Sequence, residues 1–321
     1  DSYNYFNLIQ PPNPAPPSSS PLNEQWRSIT IPSVSWNAWD VVVAMTVTML
    51  VVVSILSLGG AFGTDAGFNT TVTSPDGYFI GLLSAGLALI LLRELKSPLW
   101  PMIAVLAAGF GIIALSYLLA TDTGDGSAIF AGVQVGIIAA TAMSGVFAAT
   151  GFAFSVVRFS EPLSSLGFVK TSGFKPYLFA VAMWIVGLSV LMLWVQVLVW
   201  FGVDSLIPPD TAKQVLNEAG GNIVVTIVLV GILGPIAEEI FFRGFVLPGL
   251  VKKFGIIWAL VISSVVFGLF HIDLGAIVPT FALGLGLGWV YLKTGSIWPA
   301  MFAHGLHNTV AVLIAKYVTI S

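Results

Sequence analysis

The chain contains no cysteine. That excludes disulfides, thiolate metal sites and a cysteine nucleophile, so any metal must be held by His, Glu, Asp or Asn. Charge is scarce too. Asp, Glu, Lys and Arg make up 8% of the 321 residues, against 57% hydrophobic ones. A soluble domain is about one quarter charged, and a mean hydropathy of +0.96 places this chain in a bilayer instead. The net charge is −3, and no basic run exists to neutralise phosphates, which rules against a nucleic-acid partner. Histidine occurs three times.

What is present is apolar sequence in long runs. Crossing hydrocarbon takes about 20 residues. Candidate runs lie near Asp40–Leu58, Tyr78–Leu92, Leu99–Ala120, Ala128–Val157, Pro176–Val203, Asn222–Leu250, Gly255–His271, Ala276–Leu292 and Trp298–Val318. The expected fold is therefore all-α: a polytopic transmembrane helix bundle of about nine spans. Residues 1–38 form a Pro/Ser-rich tail, with Pro11, Pro12, Pro14, Pro16, Pro17 and Pro21 in one stretch. The tail reads as extended chain. It lacks a basic start followed by an apolar core, so it does not read as a signal peptide. Residues 39–159 hold transmembrane helices without catalytic motifs and without an intramembrane histidine or Glu, and residues 160–321 hold the polar constellation. The loop Ser160–Lys175 divides the two.

Loop charges alternate with the spans. One set of connections carries Arg27, Arg93, Lys96, Arg158, Lys170, Lys175, Lys252, Lys253 and Lys293. The other carries Asp65, Asp76, Asp122, Asp125, Asp204, Asp210, Glu218 and Asp273, with Lys213 and Lys316 as its basic exceptions. Lys and Arg mark the cytoplasmic side. The N-terminus is expected there and the C-terminus outside. Asn69-Thr70-Thr71 fits a glycosylation pattern, which chance explains better than function.

The rare polar residues converge late in the chain. Glu238, Glu239 and Arg243 interrupt an apolar stretch, and His271, His304 and His307 follow. Intramembrane charge is costly and is kept for a partner or a task. Glu239 and Arg243 are four apart and share a helical face. Glu238 is rotated by about 100°, which frees it to hold or take a proton. His304 and Asn308 are also four apart and can point at one spot. His307 lies at the edge of that face and is expected to pack.

Two chemistries stay open on these residues. A divalent metal such as zinc can be held by a set drawn from Glu238, His271, His304 and Asn308, with water in the open position. Alternatively Glu238 with His271 activates water directly, and His304 and Asn308 donate to the developing oxyanion. Both are hydrolytic. Gly284 and Gly288 form a small-xxx-small face for close helix approach. Thr294-Gly295-Ser296 makes a turn, with Ser296 as N-cap and Pro299 in the first turn of the last helix.

In order, Glu238-Glu239-x-x-x-Arg243, Phe267-x-x-x-His271 and His304-x-x-x-Asn308 resemble the motifs of the CPBP group. These are the type-two CAAX prenyl endopeptidases, with the bacteriocin-processing and abortive-infection (Abi) membrane proteins. The resemblance covers roughly Leu163 to the C-terminus. It implies an all-helical intramembrane endopeptidase acting on a peptide or lipidated-protein substrate within membrane lipid. Glu238 would then be the base, with His271; Glu239 and Arg243 would support the site. His304 and Asn308 would stabilise the oxyanion or help bind metal. Helix lengths put His304 about 10 Å and His271 about 24 Å from the same membrane face, a mismatch that boundary errors or a short, deeply set seventh helix would remove.

Two other functions are weighed. A non-catalytic accessory or scaffold subunit of a larger membrane complex can use the first half and the tail for contacts, with a histidine ligating haem or a pigment; the Glu238-Glu239-Arg243 cluster has no place in it. A transporter can use a midplane carboxylate, but no internal repeat is visible.

Overall fold

The computed structural model describes residues 29–61, 135–271 and 273–318. The tail before residue 29, the runs Tyr78–Leu92 and Leu99–Ala120, the start of Ala128–Val157, Asn69 and the charges between Asp65 and Asp125 lie outside the described residues. Those described are helical and include no strand. The helices are α1 (Ala38–Ala61), α2 (Val135–Phe152), α3 (Lys175–Phe201), α4 (Thr211–Glu218), α5 (Ile223–Leu269), α6 (Leu274–Thr294) and α7 (Trp298–Tyr317).

The helix ends follow from local chemistry. Asp210, Asn222 and Asp273 cap α4, α5 and α6. Their side-chain oxygens accept from Lys213 N at 3.0 Å, from Val224 N at 3.1 Å and from Ala276 N at 3.0 Å, which satisfies otherwise orphaned donors. Pro176 and Pro299 sit in the first turns of α3 and α7, where a missing N–H costs nothing. Ser296 Oγ accepts from Trp298 N, the first residue of α7, at 3.4 Å, as expected of a residue capping that helix. The same hydroxyl donates to Val169 O at 2.7 Å, and Ile297 is the residue preceding α7.

α5 is a hairpin. At Gly255 the backbone takes φ 73°, ψ 170°, a conformation that favours glycine. Beyond it the chain returns. Ser263 Oγ donates to Phe242 O at 3.3 Å, and the rings of Phe242 and Phe267 lie 5.1 Å apart. A straight helix would separate residues 242 and 263 by roughly 30 Å. The arms 223–254 and 256–269 thus match the sixth and seventh apolar runs read from the sequence.

The first arm is not uniformly α-helical. π-helical stretches Ile227–Leu233 and Ile240–Val246 flank the short α-helix Gly234–Glu239. Such widened turns recur at functional sites. Gly234 N bonds Leu229 O, five residues back. The next donor in that register would be residue 235, which is proline and has no N–H, so Val230 O is released from the helix.

One buried cluster joins α1, α2, α3, α5, α6 and the start of α7, so residues on both sides of the Ser160–Lys175 loop share a core. Trp36, just before α1, stacks on Phe245 with centroids 5.4 Å apart and donates from Nε1 to Phe245 O at 2.9 Å. α6 approaches the second arm through its glycines. A Cβ at Gly284 would stand 3.1 Å from Ser264 Cβ, 3.2 Å from Ser264 Cα and 3.3 Å from Phe267 Cδ1. Gly284→Ala is expected to destabilise the protein by about 1–3 kcal/mol through overpacking, read as a lower unfolding midpoint in detergent. An unchanged midpoint would mean that α6 packs elsewhere.

Charge segregates to opposite ends. At one end, Ser296 meets Val169, Ile297 N bonds Gly167 O at 2.8 Å and Thr30 N bonds Leu292 O at 3.0 Å. This gathers the connections that carry Lys170, Lys175 and Lys293. At the other, a Cβ on Gly275 would come within 2.7 Å of Ile207 O, which brings Asp204 and Asp273 to one end. The protein is an integral membrane protein. Among the described residues α3, α5 and α6 are long and apolar enough to cross a bilayer. α7, read from the sequence as a crossing, is not in that set; His304, His307, Asn308 and Lys316 lower its hydropathy.

Candidate active site

The centre of the site is one carboxylate oxygen. Glu239 Oε1 accepts from Arg243 Nη1 and from His304 Nδ1, each at 2.8 Å. Glu239, Arg243 and His304 are all buried, at 0%, 2% and 2% exposure. A buried charge survives only when paired and hydrogen-bonded, and Arg243 meets that condition on three sides. Its Nη2 donates to Gly284 O at 3.2 Å, and its guanidinium lies 4.4 Å from the Phe267 ring centroid. Close packing at Gly284 is what brings that carbonyl within reach.

Glu239 also fixes His304. An ionised carboxylate only accepts, so His304 carries its proton on Nδ1. Nε2 then presents its lone pair to Glu238, whose Oε2 is 3.7 Å away. Glu238 Oε2 makes no hydrogen bond to protein, yet its side chain is 22% exposed. Helical periodicity puts the adjacent glutamates on different faces. The structure shows that one imidazole spans both, with a nitrogen toward each. Sequence reasoning gave Glu239 to Arg243 alone and missed this bridge. The bridge depends on how α7 packs against α5, which spacing within one helix does not show.

His271 sits past the end of the second arm. Its Nδ1 bonds Phe267 O at 2.9 Å, leaving Nε2 free of protein partners. The rings of His271 and His304 pack edge-on against the same Phe267, at 5.0 and 5.7 Å. That shared neighbour places the two histidines at one level of the bundle. His307 is part-buried, within electrostatic range of His304 and His271, and its Nδ1 is buried without a partner.

Asn308 points elsewhere. Its Nδ2 donates to Val230 O at 2.9 Å, the carbonyl that Pro235 leaves unpaired. α7 comes this close because Gly305 lies against Gly231; a Cβ at Gly305 would stand 2.7 Å from Gly231 O. The structure thus brings together Glu238, Glu239, Arg243 and His304. It holds His271 beside them across Phe267 and ties Asn308 to the π-helical stretch. Among the described residues no three His, Asp or Glu side chains form a set that could hold a metal ion. Glu239 is committed to Arg243 and His304, which leaves Glu238 and His304 Nε2 as a facing pair. That donor set does not fit a three-ligand zinc site.

Carboxylates, a guanidinium and imidazoles gathered in an apolar helical core define a membrane protein with an enzyme-like polar centre. Residues 220–310, which hold that centre, match the family described as type II CAAX prenyl endopeptidase Rce1-like. The chain is also similar to "Putative membrane peptidase YdiL" of Bacillus subtilis (strain 168), at 39% identity over 88 residues. That alignment takes in 27% of this chain and 36% of the relative, so the chain spans about a third of the length of the relative it matches. No solved structure matches the chain.

Proposed function

We propose that this protein is an intramembrane endopeptidase that hydrolyses a peptide bond of a membrane-associated substrate. The observation that carries the reading is the His304 imidazole held between two glutamates. Glu239 orients the ring and fixes its tautomer. Glu238 Oε2 and His304 Nε2 then face one buried spot, where a water can be polarised. Glu238 takes a proton from that water as its oxygen adds to the scissile carbonyl carbon. The C–N bond breaks, and the proton passes to the leaving amine. His304 Nε2 shares the proton with Glu238 during the transfer.

His271 suits the role of positioning the substrate carbonyl, through its free Nε2. The oxyanion role that the sequence suggested for His304 and Asn308 has weaker geometric support. His304 has both nitrogens turned to carboxylates, and Asn308 is engaged with Val230. The same orientation of His304 disfavours axial ligation of haem or a pigment. Peptides and lipidated proteins embedded in membrane lipid are the substrate class this site serves. We further assign a topology of about nine spans, from runs of about 20 residues, with the Lys-rich end cytoplasmic.

The test is the purified chain in liposomes with membrane-tethered peptides, lipidated and unlipidated, and products read by mass spectrometry. Internal cleavage is expected. No cleavage of either class by folded protein would overturn the reading. With water activation routed through Glu238 and His304, chelators are expected to leave turnover within about twofold, below the 10²–10⁴-fold range of a lost acid–base group. Loss with chelator and recovery on adding zinc would replace this route with a metal-assisted one.

A further inference from the structure

The hairpin turn of α5 and the start of α1 enclose a cleft of about 250 Å³, lined by Asn37, Ala38, Trp39, Lys252 and Lys253. Both charges in it are positive. Lys252 and Lys253 are exposed, and neither is in an ion pair among the described residues. Asp40, the nearest acid along the chain, is buried and committed to Arg158 at 3.1 Å. Its Oδ2 also accepts from Asn37 N at 3.0 Å. Trp39 in the lining is 71% exposed, Trp258, three residues past the Gly255 turn, is 64% exposed, and Lys253 Nζ lies 5.4 Å from the Phe254 centroid.

These features have one physical setting. Gly255 reverses the chain between two apolar arms, so the turn lies where those arms leave the hydrocarbon. Exposed tryptophans belong at that boundary. Two lysines there can serve simply to orient the loop, but orientation needs neither a cleft nor a second helix as its wall. We propose that the cleft binds the phosphate head group of an anionic phospholipid. Lys252 and Lys253 neutralise the phosphate, and Trp39 lies along the glycerol and upper acyl region.

A lipid there would join α1 to the arm that carries Glu238 and Arg243. The two are already in contact one turn deeper, where a Cβ on Gly249 would come within 2.6 Å of Trp36 Cδ1 and Val41 Cγ2. The site goes beyond the peptidase reading, and its test uses no activity measurement, so either can fail alone.

The experiment measures lipid retention by native mass spectrometry and the unfolding midpoint of the full chain in detergent. It compares phosphatidylglycerol, phosphatidylcholine and inorganic phosphate. Phosphatidylglycerol is expected to be retained and to raise the midpoint above that in phosphatidylcholine. K252Q/K253Q is expected to weaken its retention on the order of 30-fold and to abolish the difference between lipids. K170Q/K175Q, with the same charge change in another exposed loop, is expected to keep both. Equal retention of the two lipids by the wild type, undiminished retention by K252Q/K253Q, or equal loss in K170Q/K175Q would each overturn the site. Inorganic phosphate alone reproducing the shift would overturn its assignment to lipid.

Discussion

Glu238→Gln is expected to lower turnover by about 10²–10⁴-fold while leaving the fold intact. In activation free energy that is about 3–5.5 kcal/mol. The substitution keeps the size and shape of the side chain and removes its ability to take a proton. Little stability is at stake, because Glu238 Oε2 makes no hydrogen bond to protein and its approach to His304 Nε2 is 3.7 Å. An amide at that distance replaces a carboxylate without breaking a network. The measurement is single-turnover cleavage of a tethered peptide beside the thermal midpoint of the same preparation. Retained turnover would remove Glu238 from the chemistry. A collapsed midpoint would make it a structural partner of His304 instead.

Glu238 and Glu239 differ in surroundings more than in sequence. One is buried at 0% exposure, with two cationic or N–H partners on a single oxygen; the other is 22% exposed with none at hydrogen-bond distance. Two carboxylates whose environments diverge in this way are suited to different tasks, one holding a partner in place and one moving a proton. The division follows from position: Glu239 Oε1 is shared by Arg243 and His304, whereas Glu238 Oε2 approaches only His304 Nε2, at 3.7 Å.

Much of this was legible in the residues. Among the described residues apolar run lengths gave the long helices, and the Gly255–His271 run gave the second arm as a separate element. The four-residue spacing of Glu239 and Arg243 gave their ion pair, since that rule acts within one helix. What escaped was everything set by one helix meeting another. Asn308 shares a spacing with His304 that suggests a common target. Yet Pro235, seventy-odd positions earlier, frees the Val230 carbonyl that takes its amide. The π-helical stretches were not foreseen, because they break the 3.6-residue period from which faces are counted. Nor did length alone show that His271 and His304 reach one phenyl ring, since the tilt of the arms is set by packing.

Glu239→Gln is expected to cost about 3–5 kcal/mol of stability, the range for breaking one member of a buried ion pair. A glutamine oxygen can still accept hydrogen bonds. It cannot neutralise Arg243, which is 2% exposed and would be left with the Gly284 carbonyl and the Phe267 ring. Turnover should fall as well, because His304 loses the carboxylate that fixes its Nδ1 proton. The double variant Glu239→Leu/Arg243→Met separates the two effects. With both charges gone the unpaired cation no longer exists, and well-packed apolar pairs commonly match buried ion pairs in stability. Its midpoint should therefore recover much of the loss, a large non-additivity of the kind neighbouring groups show. Its turnover should not recover, since nothing then orients His304. A Glu239→Gln protein as stable as the wild type would show that the pair is not what holds the arm to α6. A double variant as unstable as the single one would assign the cost to His304 rather than to Arg243. Recovery of both stability and turnover would deny Glu239 any part in positioning the imidazole.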